Sequence, residues 1–169
     1  MSLRLWAVGA LVSLAIVTVR SDAQAPAAQP AVEMSGMKAT MKLQAPLEGF
    51  FKALNGKLDL RATEIDFEPG GAVKDHLHFG PGIRRVLAGE LTLIFVDTKK
   101  EQVVRAGEYF YEPGDVDIQG VNRGTQTAKL LVVELVPANL KGSAMVPLSR
   151  RAELAESGAR LRDQVCSQK

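Results

Sequence analysis

The chain has 169 residues, a length that fits one ordinary domain and leaves little room for a second. Hydrophobic residues at 46% and charged residues at 24% exclude a disordered or fibrous polymer, and a net charge of +2 gives a nucleic-acid partner no electrostatic support. The single cysteine excludes an internal disulfide and a thiolate zinc site.

Residues 1–23 have the layout of a secretory signal. Arg4 supplies the basic start, residues 5–19 are uncharged and mostly apolar, and small or polar residues follow. The apolar run is shorter than the ~20 residues that cross a bilayer as a helix. Cleavage is expected after Ala23, because a cut after Ala25 would leave Pro26 beside it. A periplasmic or secreted protein with no membrane span after cleavage is therefore expected. In that compartment Cys166 is either free or paired between chains.

Residues 24–46 are rich in Ala, Pro, Gln and Lys and show no sustained apolar period, which predicts a flexible arm. Its Met34, Met37 and Met41 are read as one face of a short docking helix or as plain disorder. The other reading is copper(I) binding, for which soft thioethers are suited.

A barrel is expected over residues 47–137. Phe50, Phe51 and Leu54 open the compact part, and Asn55-Gly56 marks a turn. Residues 61–67 alternate, with Thr63, Ile65 and Phe67 on one face, and Pro69-Gly70-Gly71 is expected to end that strand. Strands follow at 86–87, 90–96, 102–105 and 109–111, each bounded by turn residues. Residues 129–136 are nearly all apolar, as in a strand covered on both sides. Many short, evenly spaced strands argue an all-β, closed or double-sheet architecture. In the tail, residues 138–169, an amphipathic helix is expected over about 150–165. Leu154, Leu161 and Val165 share one face, and Ser149 is placed to cap it.

The only two histidines, His76 and His78, occupy alternate strand positions, so both imidazoles point the same way. Such a pair chelates a divalent metal where further ligands converge; otherwise it is a pair of hydrogen-bonded pocket histidines.

Gly70, five residues, then His76 and His78, with Gly89 opening a Gly-Glu-Leu strand, resembles the first cupin motif. Gly107, Pro113 and Asn122, nine positions after that proline, are similar to the second. The resemblance covers about residues 58–137. It implies a double-stranded β-helix, a jelly-roll barrel in which three histidines and one glutamate hold a metal. Two of those positions depart from the pattern: the glutamate's is Gly82 and the third histidine's is Ile118. Counting instead from Gly114 puts Asp117 in that place, a set of two histidines and one carboxylate that suits iron(II). Alternation favours Ile118 toward the interior, with Gly120 and Asn122, and turns Asp117 outward. Glu90, Glu112 and Glu134 are further candidates to complete the shell. The implied cofactor is divalent Fe, Mn, Zn, Ni or Cu, and a barrel with no metal is the equal alternative.

Arg84 shares the face of Gly82, so a cavity there would gain a guanidinium able to grip a carboxylate or phosphate. Tyr109 and Tyr111 share a face that supplies phenols to a pocket or packs at its rim. The function expected is binding of a small, anionic molecule by an exported cupin-like barrel. It acts either as a metal-dependent enzyme of dioxygenase, isomerase or lyase type, or as a metal-free ligand-binding or sensing barrel. A homodimer is expected, paired through residues 130–136 and the tail helix.

Overall fold

The computed structural model describes residues 31–49 and 54–166, with the side chains of 161–166 excepted. The expected signal at 1–23 and the expected contributions of Phe50, Phe51, Leu161 and Val165 lie outside that description.

Among the described residues nine strands run in chain order. They are β1 (Met34–Pro46), β2 (Leu58–His78), β3 (Gly82–Ala88), β4 (Glu90–Phe95), β5 (Lys100–Arg105), β6 (Tyr109–Glu112), β7 (Ile118–Val121), β8 (Ala128–Pro137) and β9 (Met145–Val146). A 3₁₀ turn, Leu148–Arg150, leads into helix α1 (Arg151–Cys166). The main sheet has the order β5-β4-β7-β2-β8-β3-β6, with β1 and β9 also paired to β2, and it rolls into a nearly closed jelly roll. Inside lie Phe67, Val73, Val86, Leu91, Leu93, Val104, Phe110, Ile118 and Leu130, all buried. These are the alternate, inward positions of their strands, as a half-buried pleated sheet requires.

The 21-residue β2 organises the barrel. Pro69-Gly70-Gly71 does not end it, contrary to the expectation from those breaker residues. Residues 58–67 pair with β8, and residues 72–76 pair with β7, so the chain turns a corner between two partners. The corner suits its sequence: Pro69 has no N–H to leave unpaired, and Gly70 takes φ +76°. The fully buried Asn122 pins it, its Nδ2 donating to the carbonyls of Phe67 at 2.9 Å, Glu68 at 3.2 Å and Gln126 at 2.7 Å.

The expected flexible arm requires a correction. From Met34 onward it is strand β1, hydrogen-bonded along β2 with irregularities between Ser35 and Met37 and between Met41 and Leu43. Those two interruptions broke the apolar alternation that would have marked a strand. Strand β8 differs too: its even positions, Leu130 to Val136, are buried, while Leu131, Val133 and Leu135 are half-buried on the outer face. Ser149 sits within the 3₁₀ turn and does not cap α1. Arginines fix the helix instead. Arg151 Nη1 donates to the Asp115 carbonyl at 2.9 Å, and Arg150 pairs with Glu153 at 2.6 Å and lies over the Phe79 ring at 5.7 Å.

Candidate functional site

Strand β2 delivers His76 and His78 at its carboxyl end, both buried, with ring centroids 5.0 Å apart and edge to face. Their environments push them in opposite directions. Burial, and after it the charge of His78, presses the pKa of His76 down to about 4, so its imidazole is neutral. Its Nδ1 lies 2.8 Å from the Lys74 carbonyl and therefore carries the proton.

His78 touches two carboxylates. Nε2 is 3.1 Å from Glu112 Oε2, and Nδ1 is 3.1 Å from Glu134 Oε2. Burial opposes a charge on this ring, yet the hydrogen bonds to Glu112 and then Glu134 outweigh it and hold the pKa above the usual histidine value. Both nitrogens then donate, as only an imidazolium can.

Arg84 completes the set. It is 2% exposed, with Nε 2.8 Å from Glu112 Oε2 and Nη2 3.3 Å from Glu134 Oε2. The four side chains close a ring of alternating charge, His78, Glu112, Arg84, Glu134, whose two cations and two anions cancel. Burial disfavours the ionised Glu112, but the hydrogen bond from His78 and the charge of Arg84 prevail and keep its pKa below the ordinary value.

Strand register explains how the ring assembles. Gly82 on β3 lies opposite Glu112 on β6 and opposite Glu134 on β8. The position that lacks its carboxylate is thus flanked by one on each neighbouring strand. Arg84, two residues further along the same face, folds back over the glycine to reach both. A Cβ built at Gly82 would collide with Arg84 Nη1 and come within 2.7 Å of Glu134 Cβ and the Val133 carbonyl.

This donor set does not fit the divalent metal that the cupin resemblance implies. Both His78 nitrogens face carboxylates, the guanidinium stands between the two glutamates, and Ile118 lies in the apolar core directly opposite His76. Among the described residues no three His, Cys, Asp or Glu side chains are placed to hold an ion. Asp117 is buried away from the histidines, its Oδ1 unpartnered, near Asp75, Asp97 and Arg151. Glu90 faces Arg105 at 3.5 Å.

Nor does Arg84 offer a free fork to an external anion, since its Nε and Nη2 face internal carboxylates and only Nη1 lacks a partner. Tyr109 and Tyr111 stand outside the barrel, 64% and 60% exposed, with Arg85 5.3 Å above the Tyr109 ring.

A cavity of about 480 Å³ opens from this ring between β1 and the β8–β9 connection. His78 and Glu134 form its polar floor, and Met34, Met37, Met41, Ile65, Val132 and Met145 supply most of its wall. Buried Arg61 stands at its edge, held by Gln44 at 2.7 Å and the carbonyls of Leu140 and Gly142 at 2.5 and 2.8 Å. Beneath it a void of about 40 Å³ reaches His76, Arg84 and Glu112.

Residues 63–134 match the family profile described as a cupin domain. No curated protein matches the chain. Among solved structures, a cupin domain from Bordetella pertussis Tohama I is 17% identical, with a TM-score of 0.46, over 63% of this chain and 99% of its own. An RmlC-like cupin from Shewanella frigidimarina NCIMB 400 is 23% identical over 65% and 86%, with a TM-score of 0.44. The polyketide cyclase RemF from Streptomyces resistomycificus is also 23% identical, over 66% and 82%, with a TM-score of 0.44. No activity is carried across at these identities. Residues 63–134 of this chain are a cupin domain.

Proposed function

We propose that this protein is an exported cupin that holds no divalent metal at its histidine pair and binds a small, largely apolar molecule in its barrel. The observation that carries the reading is the guanidinium of Arg84, seated over Gly82 and held by Glu112 and Glu134. A fixed cation there opposes a divalent ion, and the cancelled charges of the ring leave no excess of either sign to select a strongly charged ligand. The cavity of about 480 Å³, apolar in its wall and polar at its floor, has the size and character of a small-molecule site. A metal-dependent enzyme would need ligands where the chain has Gly82 and Ile118. Export rests on the pattern of residues 1–23, and amino-terminal sequencing of the mature protein, expected to begin at Gln24, tests it.

Pairing of two chains belongs to the same reading. The outer face of β8 carries Leu131, Val133 and Leu135, and the adjoining strands add exposed Ile83, Leu87, Tyr109 and Tyr111. An apolar face of that kind suits a second copy of the chain.

Binding is tested with 1-anilinonaphthalene-8-sulfonate, an amphipathic aromatic probe. Saturable binding of one equivalent is expected, abolished by Thr63→Trp, which fills the cavity, at unchanged far-ultraviolet circular dichroism. Absence of saturable binding, or equal binding by the filled variant, overturns the cavity as a ligand site. Stoichiometric divalent iron, manganese, zinc or nickel in untagged protein, lost on His76→Ala, overturns the absence of a divalent metal.

A further inference from the structure

Four of the five methionines in the chain, Met34, Met37, Met41 and Met145, line the same outer cavity. Register accounts for their convergence. Met34 lies opposite Val73, Met37 opposite Phe67, Met41 opposite Thr63, and Met145 opposite His78, all of them positions on the barrel-facing side of β2. Side chains directly opposite in an antiparallel pair share a face, so the thioethers inherit that direction.

Two of the four go deeper. Met37 and Met145 pack against the core and line the inner void of about 40 Å³ together with His76. That histidine is 4% exposed, and its Nδ1 is committed to the Lys74 carbonyl. Among the described residues its Nε2 makes no hydrogen bond, and its ring lines the same void as the two thioethers.

We propose that Met37, Met145 and His76 form a site for a soft monovalent metal ion, copper(I), at the inner void, with Met34 and Met41 as thioethers along the way in. Thioethers and imidazole select copper(I) over hard divalent ions by ligand softness. Two or three such donors suffice for it, so the vacancies at Gly82 and Ile118 are no obstacle. The inner void is ion-sized rather than molecule-sized. Repulsion from the fixed Arg84 cation scales with the charge of the ion, so it opposes a monovalent ion half as strongly as a divalent one. This site goes beyond the small-molecule reading, which concerns the wide outer cavity.

The test is anaerobic titration of the full chain with copper(I) against bicinchoninate, repeated with silver(I) while the methionine methyl resonances are followed. One equivalent of each ion is expected, with shifts at Met37 and Met145. Met37→Leu/Met145→Leu, which conserves volume, is expected to weaken binding by more than about tenfold. His76→Gln is expected to weaken it too. Failure of either ion to compete with bicinchoninate overturns the proposal, and so does unchanged affinity in the double variant. Thr63 lines the outer cavity and His76 the inner void, so Thr63→Trp and His76→Gln let the two readings fail separately.

Discussion

Arg84 reaches back over Gly82, and the space a side chain at position 82 would need is taken by the Arg84 guanidinium. Glu112 and Glu134, opposite Gly82 on either side, hold that guanidinium at 2.8 and 3.3 Å. The residue type at 82 and the ion pairs of Arg84 are therefore one arrangement, and changing either disturbs the other.

Gly82→Ala is expected to lower stability by about 1–3 kcal/mol in urea denaturation, the usual range for an overpacked interior. Adding Arg84→Met removes the clash with Nη1 but not the 2.7 Å approach to the Val133 carbonyl. The double variant should therefore fail to recover the loss caused by the alanine. Wild-type stability in Gly82→Ala would show that the glycine is not required.

Arg84→Met alone leaves Glu112 and Glu134 facing a single cation, His78, in a buried setting. Breaking a buried ion network this way costs about 3–5 kcal/mol. Arg84→Met/Glu112→Gln/Glu134→Gln removes the stranded charges and is expected to regain most of that loss. If the triple variant is no more stable than the single one, the charge balance of the ring is not what matters.

Asp117 gives a pH signature. Burial first, then the charge of Asp75, raises its pKa above the ordinary 3.8, with Asp97 adding to the rise and Arg151 opposing it. The folded state thus binds this proton more tightly than the unfolded chain does. The contribution to stability is full below the ordinary carboxylate pKa and is lost as pH rises through the raised folded value. Asp117→Asn is expected to stabilise the protein at pH 7 by on the order of 1 kcal/mol, an advantage that shrinks on acidification. Thermal melts across pH check it, and a gain of equal size at every pH would contradict the titration.

The outer face of β3 and β6 sets the fourth expectation. Ile83 lies opposite Tyr111, both exposed, beside Val133. Ile83→Glu places a charge at the centre of that face and is expected to weaken pairing of two chains by on the order of a hundredfold. Sedimentation velocity of wild type and variant reads the change. A wild type that stays monomeric at high concentration removes the dimer.

The histidine pair and its strand were legible in the sequence because they follow from spacing along one strand, and the vacancies at Gly82 and Ile118 because the resemblance to the cupin motifs says which residues to expect there. The ring was not. Glu112 and Glu134 meet His78 only through the register of three strands, which local pattern does not encode. A signal was nevertheless present. Glu134 interrupts the buried series Leu130, Val132, Val136, and Glu112 shares a face with Phe110, so each is an acid at an apolar position. For Tyr109 and Tyr111 alternation gave the common face but not its side; Phe110 between them, buried, decides it. Pro69-Gly70-Gly71 reads locally as an end and structurally as a corner, because two different partners take over the pairing.

That corner has a kinetic meaning. One continuous strand serves β8 with its first half and β7 with its second, so neither half of the barrel can mature and wait for the other. A chain arrested with only β2, β8 and β3 joined would present residues 72–76 as a bare edge, open to pairing with another such chain. Its decisive pairings are remote in sequence, such as Leu58 with Pro137 and Ala72 with Val121, so closure is slow by the entropy of long loops. The same strand that carries both histidines thereby couples closure of one half of the barrel to closure of the other.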